Sequence, residues 1–168
     1  MSSDGMSDTK RLELIAEAVQ YCQRVKDMGM PVSAYTKALR EPIHFLWERR
    51  RGSKLQSPQF RSKAAAGLKF QNGQLVYDHA VPFRYLQEEL LSLHQPSTNK
   101  IAEVLNRFET TVLITKDEDN QLNAAGFNRK MPPDWNGEDP LARYKAVGIE
   151  IVPNDLKQLS RFGAISET

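Results

Sequence analysis

The chain has 168 residues, enough for one domain with an appended helical part. Apolar residues make up 40%, sufficient for a core, while a formal net charge of +2 names no partner. No long apolar stretch is free of charge, so no membrane span or membrane association is expected. The single cysteine, Cys22, rules out an internal disulfide and any multi-cysteine zinc site. Met1 to Thr9 is polar and lacks the apolar run of a secretory signal; it reads as a disordered tail, and a reducing cytoplasm is the expected compartment.

Lys10 to Met28 reads as a helix, with Leu12, Ile15, Val19, Cys22 and Val25 at helical spacing, Asp8 or Thr9 as cap and Gly29 as stop. Its one apolar face needs something to pack on, and Cys22 is expected as a buried free thiol. A second helix follows Pro31, capped by Ser33 and carrying Tyr35, Leu39, Ile43, Leu46 and Trp47. Pro42 inside it should kink or split it. His44 reads as an ordinary packed or surface residue. The two N-terminal helices are also a candidate surface for a protein partner or a homodimer.

From Arg40 to Phe70 eight basic residues stand against Glu41 and Glu48, a local charge of +6. Arg49, Arg50, Arg51, Lys54, Arg61 and Lys63 are thus candidates for a phosphate backbone. A solvated face, and cations complementing a helix C-terminus, are the plain alternatives. Gly52 to Ser62 reads as a loop, Lys63 to Ala66 as a short helix ended by Gly67, and Leu68-Lys69-Phe70 as the start of a strand. Asn72-Gly73 is a hairpin signal, with Gln74 to Tyr77 as the returning strand.

At the end of that strand stand Asp78 and His79, followed by Ala80-Val81-Pro82. Pro82 suits the first turn of a helix, which runs on through Phe83, Leu86, Leu90, Leu91 and Leu93. Aspartate is a hard oxygen ligand for magnesium, and histidine accepts a proton near neutral pH. That pairing suits metal-assisted phosphodiester hydrolysis. With only three histidines in the chain, a structural histidine or a helix cap is the competing reading.

Ser97 or Thr98 caps the next helix, with Ile101, Val104, Leu105 and Phe108. Glu109 to Thr115 is a strand, rich in β-branched residues. Thr115 then caps a helix whose first turn holds Asp117, Glu118 and Asp119, and Gly126 ends it. Arg129 and Lys130 follow in a loop, well placed for phosphate. Trp135 lies in a polar turn, where packing or base stacking are both open. Asp139-Pro140 starts a short helix, and Ile149 to Val152 forms a strand able to pair with 109–115. Asn154 to Arg161 reads as a further amphipathic turn or two and 163–168 as a frayed tail.

Asp78-His79-Ala80-Val81-Pro82 resembles the first motif of the HNH (ββα-metal) nuclease family, over at most a quarter of the chain. The resemblance implies that Asp78 binds a metal, Mg2+ or Mn2+, and that His79 is the general base. It also implies a ligand from a helix packed across the hairpin, for which Asp119 is the first candidate and Asn123 the second. The family's middle asparagine has Asn99 as its match, with Asn106 as second choice. Two expected helices intervene where the family has a short connection, and its frequent cysteine knuckles are missing.

The fold expected is α+β: an N-terminal helical region with a basic loop (10–62), then a ββα-like core with extra strands (63–162). The leading functional expectation is a metal-dependent endonuclease acting on nucleic acid. A non-catalytic nucleic-acid binder and a protein-interaction factor (immunity, antitoxin or complex assembly) are the alternatives from other classes.

Overall fold

The computed structural model describes residues 5–68 and 73–154. It is an α+β protein with helices α1 (Asp8–Asp27), α2 (Val32–Pro42), α3 (Phe83–Ser92), α4 (Thr98–Phe108), α5 (Lys116–Ala124) and α6 (Ala142–Ala146). Its strands are β1 (Phe60–Ser62), β2 (Leu75–His79), β3 (Thr111–Thr115) and β4 (Ile151–Pro153). The chain forms two compact units: Met1–Gly52 with Phe83–Glu109, and Ser53–Pro82 with Thr110–Thr168. The first break falls at Gly52 rather than at Ser62, and 83–109 returns to the helical unit.

In the helical unit Ser7 caps α1, its hydroxyl accepting from the Lys10 amide, so Asp8 and Thr9 lie inside the helix rather than in a tail. Ile15, Ala16, Val19 and Cys22 recur on one face and are buried. Burial pushes the pKa of the Cys22 thiol up, as expected of an inert core cysteine. α2 starts after Pro31 without the side-chain cap expected from Ser33. Pro42 is its last residue. Proline has no N–H to give to the preceding turn, and the next five residues, Ile43–Trp47, wind in the wider π register before Glu48–Arg51 tightens to a 3-10 turn. The expected break is therefore a change of helical pitch. Ser97 caps α4, whose Ile101, Val104, Leu105 and Phe108 face inward.

The second unit is built on a four-stranded sheet in the order β2-β3-β1-β4. β2 pairs antiparallel with β3, from Leu75 opposite Thr115 to His79 opposite Thr111. The expected partner was the segment around Leu68-Lys69-Phe70. Leu68 is not in a strand, Lys69 to Asn72 lie outside the described residues, and Gly73 has the positive φ of a turn. Phe60–Ser62, expected as loop, is instead the strand β1 between β3 and β4, parallel to the first and antiparallel to the second. So β4 pairs with β1, not with β3. Residues 63–67 form turns rather than a helix. Ala80, Val112, Ile114, Leu122, Tyr144 and Ile149 make a buried cluster joining the sheet to α5 and α6. The amphipathic turn expected at Asn154 to Arg161 lies, from residue 155, outside the described residues.

Candidate functional site

The sheet unit holds a ββα arrangement. β2 and β3 form an antiparallel pair, and α5 follows β3 without a break. The chain between the two strands, a short loop in a hairpin, is here the stretch that carries α3 and α4. Thr115 ends β3 and caps α5 in a capping box: its hydroxyl accepts from the Glu118 amide, and the Glu118 carboxylate accepts from the Thr115 amide. The same carboxylate accepts from Ser62 Oγ at 2.5 Å, tying the start of the helix to β1. Glu118 is thus consumed by structure, as its place in the first turn allows.

Side chains alternate along a strand. Asp78, opposite Val112, therefore lies on the face shared by Val76, Val112 and Ile114, where α5 and α6 pack. Its Oδ2 accepts from Arg143 Nη1 at 3.0 Å and from the Tyr144 hydroxyl at 2.5 Å. Arg143 also donates to the carbonyls of His79, Ala80 and Phe127. Arg143 and Tyr144 are buried, whereas the Asp78 side chain is 17% exposed. Burial, then the nearby Asp78 carboxylate, holds the pKa of the Tyr144 hydroxyl well above its ordinary value. Among the described residues the hydrogen bonds to the Asp78 carboxylate fall on Oδ2.

His79 leaves the strand on the other face, beside Tyr77, with the rings edge-to-face at 5.8 Å. The two residues of the motif thus do not project from one side of the sheet. They do border the same edge, because β2 is the outermost strand among the described residues.

The helix ligand expected first, Asp119, sits in the first turn of α5, paired with Lys116 at 3.1 Å. That turn begins beside Leu75, at the opposite end of the ladder from Asp78. Asp78 is three steps along the strand from Leu75, about 10 Å at 3.3 Å per residue. α5 runs back over a similar distance, bringing Leu122 into the cluster with Ala80 and Val112. Phe127, just past the helix, shares the Arg143 guanidinium with Asp78. The end of α5 therefore lies toward the Asp78 end of β2, and of the two candidates Asn123, exposed in the last turn, is the one on that side. Asn99 and Asn106 are exposed on α4, in the helical unit.

The basic candidates divide. Arg61 is 1% exposed; its guanidinium donates to Asn154 Oδ1 and to the carbonyls of Ala65 and Leu55, so it cannot meet a phosphate. Arg50 stacks over Trp47 at 3.7 Å, donates to the Trp47 carbonyl and pairs with Asp8, again a structural engagement. Arg49 caps the Gly52 carbonyl. Lys63 is exposed and pairs loosely with Glu150 at 3.6 Å. Arg51, Lys54, Arg129 and Lys130 are exposed. An open cleft of about 840 Å³ beside the start of α5 is lined by residues of both signs, among them Lys63, Lys116, Asp117 and Glu150.

The helical unit contains a second acidic feature. Glu48 and Glu109, both buried, bring carboxylate oxygens within 4.8 Å of one another, a spacing at which two such groups can share one metal ion. His44 Nδ1 lies 2.7 Å from Glu48 Oε2, so His44, expected as plain packing, orients a buried acid. Burial, then repulsion by Glu48 and a hydrogen bond donated to Glu48 by the protonated acid, raises the Glu109 pKa well above the ordinary carboxylate range, against the pull of Arg50 and Arg51. Only the i to i+4 spacing of His44 and Glu48 was visible in sequence; the partner acid is remote. Comparison with known proteins returns no matching family model, no matching curated protein and no matching solved structure.

Proposed function

We propose that the sheet unit is a metal-dependent nuclease module acting on nucleic-acid phosphodiesters, of the HNH type. The observation that carries this reading is the antiparallel β2–β3 pair running straight into α5, with Asp78-His79 at the end of β2 where α5 finishes. Asp78 suits a hard cation: Arg143 and Tyr144 fix one carboxylate oxygen and leave Oδ1 as a donor, as hydrogen-bonded partners of metal-ligating carboxylates do. Asp78 and Asn123 would hold Mg2+ or Mn2+, and when bound the ion supplies positive charge against the phosphate and its leaving oxygen. The Arg143 guanidinium at 3.0 Å opposes a second cation, so the metal is expected to bind weakly until a substrate phosphate adds its own charge. His79, across the strand edge, takes the proton from the attacking water. Arg129 and Lys130, exposed beyond α5, neutralise the backbone.

Digestion of supercoiled plasmid and of single-stranded DNA and RNA with Mg2+ or Mn2+ tests this reading. Cleavage that disappears with chelator, and falls at least about a hundredfold in His79→Ala, is the expected result. Cleavage unchanged in His79→Ala removes His79 from the mechanism, and no cleavage on any substrate removes the module. A non-catalytic nucleic-acid binder is the second reading, favoured by the direct Arg143–Asp78 pair. It predicts salt-dependent binding of the same substrates without product.

A further inference from the structure

α6 has two working faces. Arg143 and Tyr144 point inward to Asp78, whereas Ala142, Lys145 and Ala146 line a cleft of about 380 Å³ on the other side. The rest of that cleft comes from the preceding turn: Pro132, Asp134, Trp135, Asn136 and Asp139. Its volume lies in the range of small-ligand sites, and its lining includes one aromatic ring, Trp135, beside Asp134, Asn136, Asp139 and Lys145. Half-buried Trp135 offers apolar surface, backed by buried Pro132. The Trp135 indole N–H donates to the Asp139 carbonyl at 2.8 Å, which locks the ring in place. Asn136 Oδ1 accepts from the amides of Glu138 and Asp139, so the amide nitrogen is the end of that side chain turned away from the turn. Lys145 meets Asp139 at 2.6 Å on the exposed rim.

We propose that this cleft takes an unpaired nucleobase, stacked on Trp135, with the Asn136 amide facing its polar edge and Lys145 near the attached phosphate. The inference rests on the nuclease reading for its substrate, and names that substrate as nucleic acid with an unstacked base. α6 lies between the cleft and the Asp78 carboxylate, with Arg143 and Tyr144 on one side and Ala142, Lys145 and Ala146 on the other.

The test uses the full chain without metal, so that binding is read apart from cleavage. Trp135 fluorescence is titrated with a short oligothymidylate and with the same oligomer carrying abasic positions; Trp135→Phe identifies which of the two tryptophans responds. Quenching that belongs to Trp135, with the abasic oligomer bound at least about fivefold more weakly, is expected for one base stacked on an indole. Ala146→Phe fills the cleft from its exposed rim, and circular dichroism confirms that this variant folds; it should lose the discrimination. Equal affinity for both oligomers, or a plugged variant that still discriminates, overturns the proposal. Discrimination in a protein that cleaves nothing would keep the cleft and discard the nuclease.

Discussion

In the sheet unit a largely buried carboxylate meets a cation: Asp78 accepts from the Arg143 guanidinium and the Tyr144 hydroxyl. In the helical unit two buried carboxylates meet each other: Glu48 and Glu109 stand close, with His44 on the first and Arg50 and Arg51 acting on the second. The first arrangement satisfies its charge and so stiffens the place where β2, α5 and α6 converge. The second favours the protonated form of Glu109, because two adjacent carboxylates in a poorly solvated site do not both ionise at low energy. Charge pairing and proton retention respond differently to mutation and to pH, which separates them experimentally.

The largest expected effect breaks the satisfied pair. Arg143→Ala leaves Asp78 without its cation and frees the carbonyls of His79, Ala80 and Phe127. Loss of one partner from such a pair costs about 3–5 kcal/mol, read as a lower urea midpoint with an unchanged m-value. Adding Asp78→Asn should recover part of that loss, because the orphaned charge is gone. A double variant no better than Arg143→Ala would place the cost in the carbonyl contacts instead. Leu122→Ala, in the cluster above the same strand, is expected to cost about 2–5 kcal/mol through a cavity and to leave the charge network in place.

The helical unit is probed by pH rather than by truncation. The Glu109 pKa is raised on folding, so the native state binds a proton that the unfolded chain releases above its ordinary value of 4.5. Stability from this group is therefore greatest in acid. It falls as pH rises from that value toward the raised native one. Glu109→Gln keeps the shape and removes the titration. Melting temperatures of the two proteins should lie close together at about pH 5 and diverge by about pH 8, with Glu109→Gln the more stable. A wild-type curve parallel to that of the variant would show that Glu109 ionises in the fold as readily as outside it.

How far these features could be read from residues follows from their range. Local signals were legible: Ser97 and Thr115 as caps, Gly126 as a stop and Pro42 as an interruption each act through backbone groups within a turn. Asp78-His79 was placed at a strand end followed by a helix, because Pro82 and the alternating run before it mark both. Non-local pairing was not legible. β1 is three residues long and exists only because β3 and β4 flank it, so Phe60–Ser62 carried no strand pattern of its own. The nearest turn signal pointed to the wrong partner for β2, since Asn72-Gly73 speaks for a local hairpin and the real partner lies beyond two helices. Arg61 and Arg143 resemble surface cations by type; their burial is set by carbonyls and carboxylates from distant segments. Glu109 gave no sign of an acid held beside Glu48.

A smaller effect compares the two units through their caps. Ser97→Ala in α4 and Thr115→Ala in α5 each remove a hydroxyl that accepts a backbone amide, at 3.3 and 3.1 Å. Each should cost about 1 kcal/mol in chemical denaturation. Thr115 belongs to a capping box whose Glu118 also reaches Ser62, so its loss loosens a second contact and should be the larger of the two. Equal losses would mean that the Glu118 carboxylate keeps both its bonds without the threonine.

The smallest stability effect is expected at Lys63, and it is informative for that reason. Lys63 and Glu150 are 3.6 Å apart with side chains 71% and 65% exposed, so solvent and salt screen the pair. Lys63→Ala should change unfolding free energy by no more than about 0.5 kcal/mol. If Lys63 also meets a nucleic-acid phosphate, the same substitution weakens binding across sequences and lowers the slope of log affinity against log salt by about 1. Stability and binding then part company at one residue, which is not so at Arg61, where removal of a buried guanidinium would unfold before it could report on a ligand. An unchanged salt slope would assign Lys63 to the surface alone and leave Arg129 and Lys130 as the cations to test next.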